Sequence, residues 1–301
     1  MNLIKPKKLN KGDTIAIIAP AGAVDPEKIS KAISYFEGKG FIVKTGKNLY
    51  KSNYCLAGND EERLEDLHEA FSDSEVKAIV CARGGYGCLR LINKIDYELI
   101  KSNPKIFCGY SDITILNAML LRHANLVTFS GPMAQSDFAS SPVEKYTEDS
   151  FYKNLTQNEI VITAENANSY GDLKSVEGVL FGGNLSTITS LCGTNFLPAD
   201  DFIFFAEDLN EPAYKIDRYF TQLINTKDFK DKVKAVVLGD FLDVDDENYL
   251  NHIFKQLSAE LNVPVISGFP ITHAEKKATI PYGAFAKLNN NSLIISDYLD
   301  E

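Results

Sequence analysis

Four short stretches of this 301-residue chain carry residue types that could do chemistry together. In Lys105-Ile106-Phe107-Cys108-Gly109-Tyr110-Ser111-Asp112-Ile113-Thr114, an apolar run ends in glycine. A serine follows two residues later, and an amphipathic pattern opens at once. Such a strand, turn and helix can lift a serine hydroxyl out of the backbone at a sheet edge, where a nucleophile is useful. The same layout describes an ordinary helix N-cap, because Ser and Asp are favoured there. The Gly-x-Ser-x-Gly elbow is incomplete, since Ile113 stands where its last glycine would be, and this argues against an α/β-hydrolase fold. A serine hydroxyl is a poor nucleophile until a base takes its proton. Ser111 therefore needs a base, an acid to orient that base, and donors for an oxyanion.

Among the four histidines (His68, His123, His252 and His273), His273 is the best candidate base. It sits in Gly268-Phe269-Pro270-Ile271-Thr272-His273-Ala274, a loop after a strand-like run, with no apolar periodicity to bury it. His68 and His252 fall on predicted helices. His123 ends the helix that Ser111 begins, roughly 18 Å away along its axis. For the orienting acid, Glu207 and Asp208 follow an apolar run, where a carboxylate has reason to be placed rather than merely solvated. A solvated loop pair or a cap for the following turn is the plainer alternative. The loop Arg83-Gly84-Gly85-Tyr86-Gly87 could lend backbone N–H groups to an oxyanion, because glycine lets the backbone come close to a reacting carbonyl. A simple tight turn is its alternative. The loop lacks the Lys-Ser/Thr of a P-loop and the spacing of a dinucleotide fingerprint, so nucleotide binding is not expected.

The elements that must hold these stretches follow from periodicity. Strands are expected at Thr14–Ala19, Phe41–Val43, Val76–Ala82, Ile106–Cys108 and Leu126–Phe129. Helices are expected over Pro26–Glu37, over Asn59–Phe71, after Gly87 through Leu89 and Ile92, and over Asp112–Arg122. This alternation implies an α/β fold with parallel pairing and right-handed crossovers. Ligands then sit outside the carboxyl ends of the strands, where both the Arg83 and the Ser111 stretches lie. Between about Ser136 and Gly171 the chain turns polar, and the domain junction is expected there, giving domains 1–165 and 166–301. That junction carries a helix-like run (Lys145–Leu155) and a strand (Ile160–Thr163). The second half restarts at Val176–Phe181. Helices follow at Leu185–Leu191, Tyr214–Ile224 and Tyr249–Leu261, with strands at Phe202–Phe205, Val233–Leu238 and Val265-Ile266. Two β-like runs, Thr279–Leu288 and Ser292–Ile295, close the chain.

Hydrophobic residues make up 45% and charged residues 24%, enough for a large core. The net charge of −10 argues against nucleic acid as a partner, which would need a basic face. Five cysteines, at 55, 81, 88, 108 and 192, form no CxxC pair. They read as small buried hydrophobes in a reducing compartment. The histidines lack ligand spacing, so neither a metal nor another cofactor is expected. Without an apolar leader at Met1–Lys8 or an 18-residue apolar run, the reading is a cytoplasmic protein with no membrane partner.

In combination and in this order, the stretches resemble the LD-carboxypeptidase family (muramoyl-tetrapeptide carboxypeptidases), whose relatives include the microcin C self-immunity peptidases. The likeness is carried by Gly12-Asp13-Thr14-Ile15-Ala16 with Ala19-Pro20, Ala82-Arg83-Gly84-Gly85-Tyr86-Gly87, Gly109-Tyr110-Ser111-Asp112, and Gly182-Gly183-Asn184-Leu185. It continues through Glu207-Asp208-Leu209-Asn210-Glu211-Pro212-Ala213-Tyr214-Lys215-Ile216-Asp217-Arg218 and Gly268-Phe269-Pro270 with His273. The resemblance implies a Rossmann-like or flavodoxin-like first domain bearing the nucleophile. It implies a swivelling-type α/β second domain bearing the acid and base, with the site in the cleft between them. It assigns Ser111 as nucleophile, His273 as base and Glu207 as its orienting acid. The backbone N–H groups of Asp112 and of Gly84 or Gly85 would form the oxyanion hole. It further implies a cytoplasmic homodimer that releases terminal D-Ala from murein tetrapeptides without a metal. An exopeptidase must also bind a free carboxylate, for which Arg83, with Tyr86 beside it, is the expected substrate-binding group, a structural ion pair with a neighbouring acid being its alternative. One departure is Ile271-Thr272 ahead of His273, where a glycine would be expected. A peptidase acting on a toxic peptide-nucleotide is the alternative within the family, though the absence of Trp leaves fewer candidates for an adenine shelf. A non-catalytic peptide-binding protein is the alternative outside it.

Overall fold

Thr14-Ile15-Ala16-Ile17-Ile18 is buried at every position, as a parallel strand covered on both faces must be. The computed structural model, which describes residues 2–172 and 174–301, opens with this strand as β1 (Thr14–Ile18). There follow α1 (Pro26–Gly38), β2 (Ile42–Thr45), α2 (Asp60–Ser72), β3 (Val76–Cys81), α3 (Tyr97–Ser102), β4 (Ile106–Cys108), α4 (Thr114–Ala124) and β5 (Thr128–Ser130). The helix starts are written locally. Asp25 accepts from the Glu27 and Lys28 N–H groups with Pro26 at the first turn, and Asn59 forms a reciprocal capping box with Glu62.

The second half comprises α5 (Lys145–Thr156), β6 (Glu159–Thr163), β7 (Ser169–Tyr170), β8 (Val176–Asn184), α6 (Leu185–Thr189), β9 (Phe202–Leu209), α7 (Ala213–Ile224), α8 (Phe229–Lys232), β10 (Val233–Leu242), α9 (Glu247–Leu261), β11 (Val265–Ile266), β12 (Ile280–Tyr282), β13 (Phe285–Asn289) and β14 (Ser292–Ser296). Among the described residues two sheets form, in the orders β12-β5-β4-β3-β1-β2 and β6-β14-β13-β8-β9-β10-β11-β7. The first is parallel except for β12. The second is parallel through β8, β9, β10 and β11, and antiparallel at both margins. The fold is therefore mixed α/β.

Sheet membership crosses the expected boundary at residue 165 twice. β6 precedes it yet lies in the second sheet, and β12 follows it yet completes the first. The single run expected over Thr279–Leu288 is divided at Gly283, whose φ of 84° suits glycine. β12 and β13 thus enter different sheets. The helix expected after Gly87 is only a short 3₁₀ turn, Cys88–Arg90, and α3 lies in a stretch that showed no clear periodicity. Of the cysteines, Cys81, Cys88 and Cys108 are buried as expected, whereas Cys55 is exposed.

One helix is unlike the rest. Nine of the eleven residues of α4 are buried, because α4 packs on the first sheet and also against β8 and α6. The helix that starts beside Ser111 is thus the seam between the two sheets. Apolar side chains from both halves join across it in one core cluster.

Candidate active site

Ser111 sits at the carboxyl end of β4 in a left-handed conformation, φ 62°. A non-glycine residue held there is strained and needs a surrounding structure to keep it so. Its 3₁₀ turn, Ser111–Ile113, and α4 after it carry no side-chain cap. The capping reading of Ser111 is therefore not what the structure shows: the hydroxyl makes no capping hydrogen bond. The turn is fixed from below by two features. A Cβ on Gly109 would come within 2.9 Å of the Ile113 side chain, so the tight strand end needs glycine. Asn117, fully buried on α4, donates from Nδ2 to the Gly109 carbonyl at 3.0 Å. Asn117 drew no notice in the sequence, and nothing in its local pattern distinguishes it from any polar residue in a helix.

The glycine loop after β3 lies directly over this turn. A Cβ on Gly84 would fall 2.7 Å from Ser111 Cβ, 2.8 Å from its Oγ and 3.3 Å from the Asp112 nitrogen. The buried Asp112 carboxylate anchors the far end of the loop by accepting from the Cys88 N–H at 2.9 Å. Arg63 braces it from beneath. Its guanidinium is fully buried, donates to the Pro20 carbonyl and to Asp60 Oδ1 (both 2.6 Å), and leaves no room for a Cβ on Gly87. Arg63 was invisible as a site residue because α2 reads as a solvated, highly charged helix.

Glu207 and Asp208 are both 3% exposed and stand inside β9 rather than in a loop after it. The alternation of a strand sends their side chains to opposite faces. Asp208 accepts from the Ser186 N–H at 2.7 Å and from Asn184 Nδ2 at 2.9 Å, tying down the start of α6. Glu207 Oε2 lies 2.6 Å from His273 Nδ1. His273, on the loop between β11 and β12, keeps 16% of its side chain exposed. Its ring meets Tyr110 edge to face, at 5.0 Å between centroids. The Ile271-Thr272 pair that replaces the expected glycine is buried, and Thr272 Oγ1 accepts from the Ala274 N–H at 2.9 Å, closing a local turn around the histidine.

A short path links the Ser111 turn to Glu207. Thr114, the first residue of α4, accepts from the Asn184 N–H at 3.2 Å, and Asn184 pairs with Glu207 in the β8–β9 register. Gly183 permits this contact, since a Cβ there would reach within 2.6 Å of Thr114. The structure thus gathers Ser111, Asp112, Gly84, Glu207 and His273 at the meeting of the two sheets. Arg83 folds back beside them, with Nε 3.3 Å from the Gly84 carbonyl and Nη1 3.4 Å from the Ala23 carbonyl. Among the described residues it forms no ion pair. Tyr86 stands on the rim, 51% exposed. The other histidines lie apart: His68 Nε2 accepts from the Asp96 N–H, His123 packs at a tilt against Tyr97, and His252 is exposed on α9.

Residues 15–131 match the family model described as the LD-carboxypeptidase N-terminal domain, and residues 177–288 match the LD-carboxypeptidase C-terminal domain. The chain belongs to the LD-carboxypeptidase family. A relative in Bacillus subtilis (strain 168), named "Probable murein peptide carboxypeptidase", is 40% identical over 95% of this chain and 91% of its own. The crystal structure of a muramoyltetrapeptide carboxypeptidase from Oxalobacter formigenes superposes with a TM-score of 0.86 at 33% identity, covering 95% of this chain and all (100%) of that one. The microcin C7 self-immunity protein MccF of Escherichia coli is 29% identical over 96% of this chain and 94% of its own.

In this LD-carboxypeptidase two acids beside the site are held above the ordinary carboxylate range. Burial raises Asp112 and outweighs the hydrogen bond from Cys88, and burial likewise raises Asp208. Burial also pushes the Tyr110 phenol well up, with the negative charges of Asp137 and Glu207 adding to the effect, so Tyr110 stays protonated. Among the described residues no helix is long and apolar enough to cross a membrane.

Proposed function

We propose that the chain is a serine-type carboxypeptidase that hydrolyses the L,D-peptide bond releasing terminal D-Ala from murein-derived tetrapeptides. The observation that carries the reading is the Glu207–His273 contact of 2.6 Å, with the imidazole against the ring of Tyr110, the residue before the left-handed Ser111. In this reading Glu207 fixes the imidazole tautomer so that the far nitrogen faces Ser111. That nitrogen takes the hydroxyl proton as Oγ attacks the carbonyl, then returns it to the amine of the departing D-Ala. The oxyanion is held by the N–H groups of Asp112 and of Gly84 or Gly85. Water, activated by His273 in the same way, hydrolyses the acyl-enzyme and frees the shortened peptide.

Arg83 is the cation for the terminal carboxylate, with Tyr86 at the rim as a further substrate contact. Its support is a guanidinium bonded to backbone carbonyls and to no acid among the described residues. The domain division at 165/166, a homodimer and a cytoplasmic location belong to the same proposal. The microcin relative makes a peptide-nucleotide the second substrate to try.

Incubation with L-Ala-D-Glu-L-Lys-D-Ala and with its diaminopimelate analogue, read by mass spectrometry, tests the reading. D-Ala should appear with the wild-type chain and not with Ser111→Ala. No release from either peptide would refute the substrate assignment, and release that survives Ser111→Ala would refute the nucleophile. Cleavage of an aminoacyl sulfamoyl-adenosine alone would favour the self-immunity activity. Tight binding of peptide without turnover would favour a binding protein.

A further inference from the structure

Behind Tyr110 lies a buried ion pair that the chemistry above leaves unused. Lys277 and Asp137 have side chains 4% and 6% exposed and are joined from Nζ to Oδ1. They come from separate places: Lys277 from the loop that carries His273, Asp137 from the π-helical turn Ala134–Phe138 after β5. Each is held independently of the other. The Asp137 Oδ2 accepts from the Met133 N–H at 2.8 Å, and the Lys277 backbone N–H donates to Thr147 Oγ1 at 2.8 Å. The Lys277 ammonium stands 4.7 Å from the centroid of the Tyr110 ring, with Nζ 3.4 Å from its hydroxyl. The same tyrosine ring meets the His273 imidazole in an edge-to-face contact.

Burying two charges is costly, and an apolar pair of similar volume would often be as stable. We propose that the Lys277–Asp137 pair is a positioning device for His273. It clamps the Tyr110 ring that walls the imidazole and holds the local field near zero with two opposite charges. This inference rests on His273 being the base of the proposed reaction. Lys277 and Glu207 also border one cavity of about 10 Å³, at the lower limit for a single water. With side chains 4% and 6% exposed, the two charges are themselves little screened by solvent. The groups that meet His273 are Glu207 from β9 and Tyr110 from the turn before α4, with Lys277 and Asp137 against the tyrosine. On its own loop, Glu275 is exposed and Lys276 turns outward to pair with Glu165.

Charge arithmetic gives a test that simple loss of packing would not imitate. The acid limb of the kcat/KM profile reports the free-enzyme imidazole. Lys277→Met leaves Asp137 uncompensated, with only the Tyr110 ring between that site and the imidazole, so the limb should move to higher pH by up to about one unit. Asp137→Asn leaves the ammonium alone, so the limb should move to lower pH. The double variant should return the limb to its wild-type position while kcat stays depressed, because the Tyr110 clamp is gone. Lys277→Arg should keep the wild-type limb. Melting curves taken on every variant identify the folded ones, and Lys277→Arg with Asp137→Asn suffices if Lys277→Met does not fold. Limbs that stay put, or that move the same way in both single variants, would overturn the proposal. Ser111→Ala, assayed alongside, separates the two levels. An inactive Ser111→Ala with unmoved limbs removes this inference alone, whereas an active one removes the reading beneath it.

Discussion

Gly84→Ala probes the contact between the glycine loop and the serine most directly. Gly84 is buried and its φ is outside the left-handed region, so alanine suits its backbone, and the only new feature is one methyl group. That methyl would sit 2.7 Å from Ser111 Cβ and 2.8 Å from Oγ. Carbon contacts settle near 3.5–4.0 Å, so the loop or the serine must yield by about 1 Å. Overpacking of this kind costs about 1–3 kcal/mol of stability. A displacement of about 1 Å at reacting groups costs on the order of 100-fold in rate. Gly84→Ala should therefore stay folded with a lowered melting temperature and lose about two orders of magnitude in kcat/KM for D-Ala release, mostly in kcat. Gly38→Ala is the control. At the end of α1, its methyl meets nothing within 4 Å, and activity and stability should be unchanged or slightly improved. If Gly84→Ala kept kcat/KM within about threefold of wild type while Ser111→Ala was inactive, the loop would not press on the nucleophile, and its role as oxyanion donor would fall with it.

Glu207→Gln keeps the shape of the buried acid but can stabilise the wrong tautomer of His273. Steady-state kinetics should show kcat falling by about 10³–10⁴ with KM little changed. Arg83→Ala should lower kcat/KM about 10- to 100-fold through a lost charge-assisted carboxylate contact, with Arg83→Lys recovering part of it, and an unchanged kcat/KM would exclude the role. Asn117→Leu orphans the Gly109 carbonyl, and denaturant unfolding should report a loss of about 1–3 kcal/mol together with reduced activity. Asp60 is held at about 2, below its ordinary 3.8, chiefly by the Arg90 hydrogen bond with Lys94 assisting. Because its pKa is lower in the folded state, the stabilisation is in place above about pH 4 and is lost as pH falls toward 2. It amounts to at most about 2 kcal/mol, since Arg90 and Lys94 are half-exposed. Asp60→Asn should flatten that part of the acid unfolding profile.

Much of the molecule was legible from local chemistry. A strand such as Thr14–Ile18 announces itself by an unbroken apolar run, and Asn59 with Glu62 marks the start of α2 by its own capping bonds. These features depend on residues close in sequence, so the sequence pattern holds them. The site was legible only as separate pieces. Glu207 and Asp208 read alike, two adjacent acids after an apolar run. Only the face of β9 on which each falls sends one to His273 and the other to the N-terminal turn of α6. Ser111 read as a cap because Ser and Asp favour that position. The tertiary packing of α4 between the sheets, with Asn117 and Gly84 closing on its turn, holds the serine left-handed instead. Arg63 and Lys277 left no trace, because a charged residue in a polar stretch looks solvated until another segment covers it.

The sequence by itself thus determined most of the elements, the strand-end placement of the Ser111 stretch, the loop placement of His273 and the family to which the chain belongs. The tertiary structure alone decided which acid faces the imidazole, which polar residues are buried, and where the two sheets meet. These depend on contacts between residues far apart in the sequence, such as Lys277 with Tyr110, 167 positions away. No local periodicity encodes contacts that form only when α4 is covered from both sides.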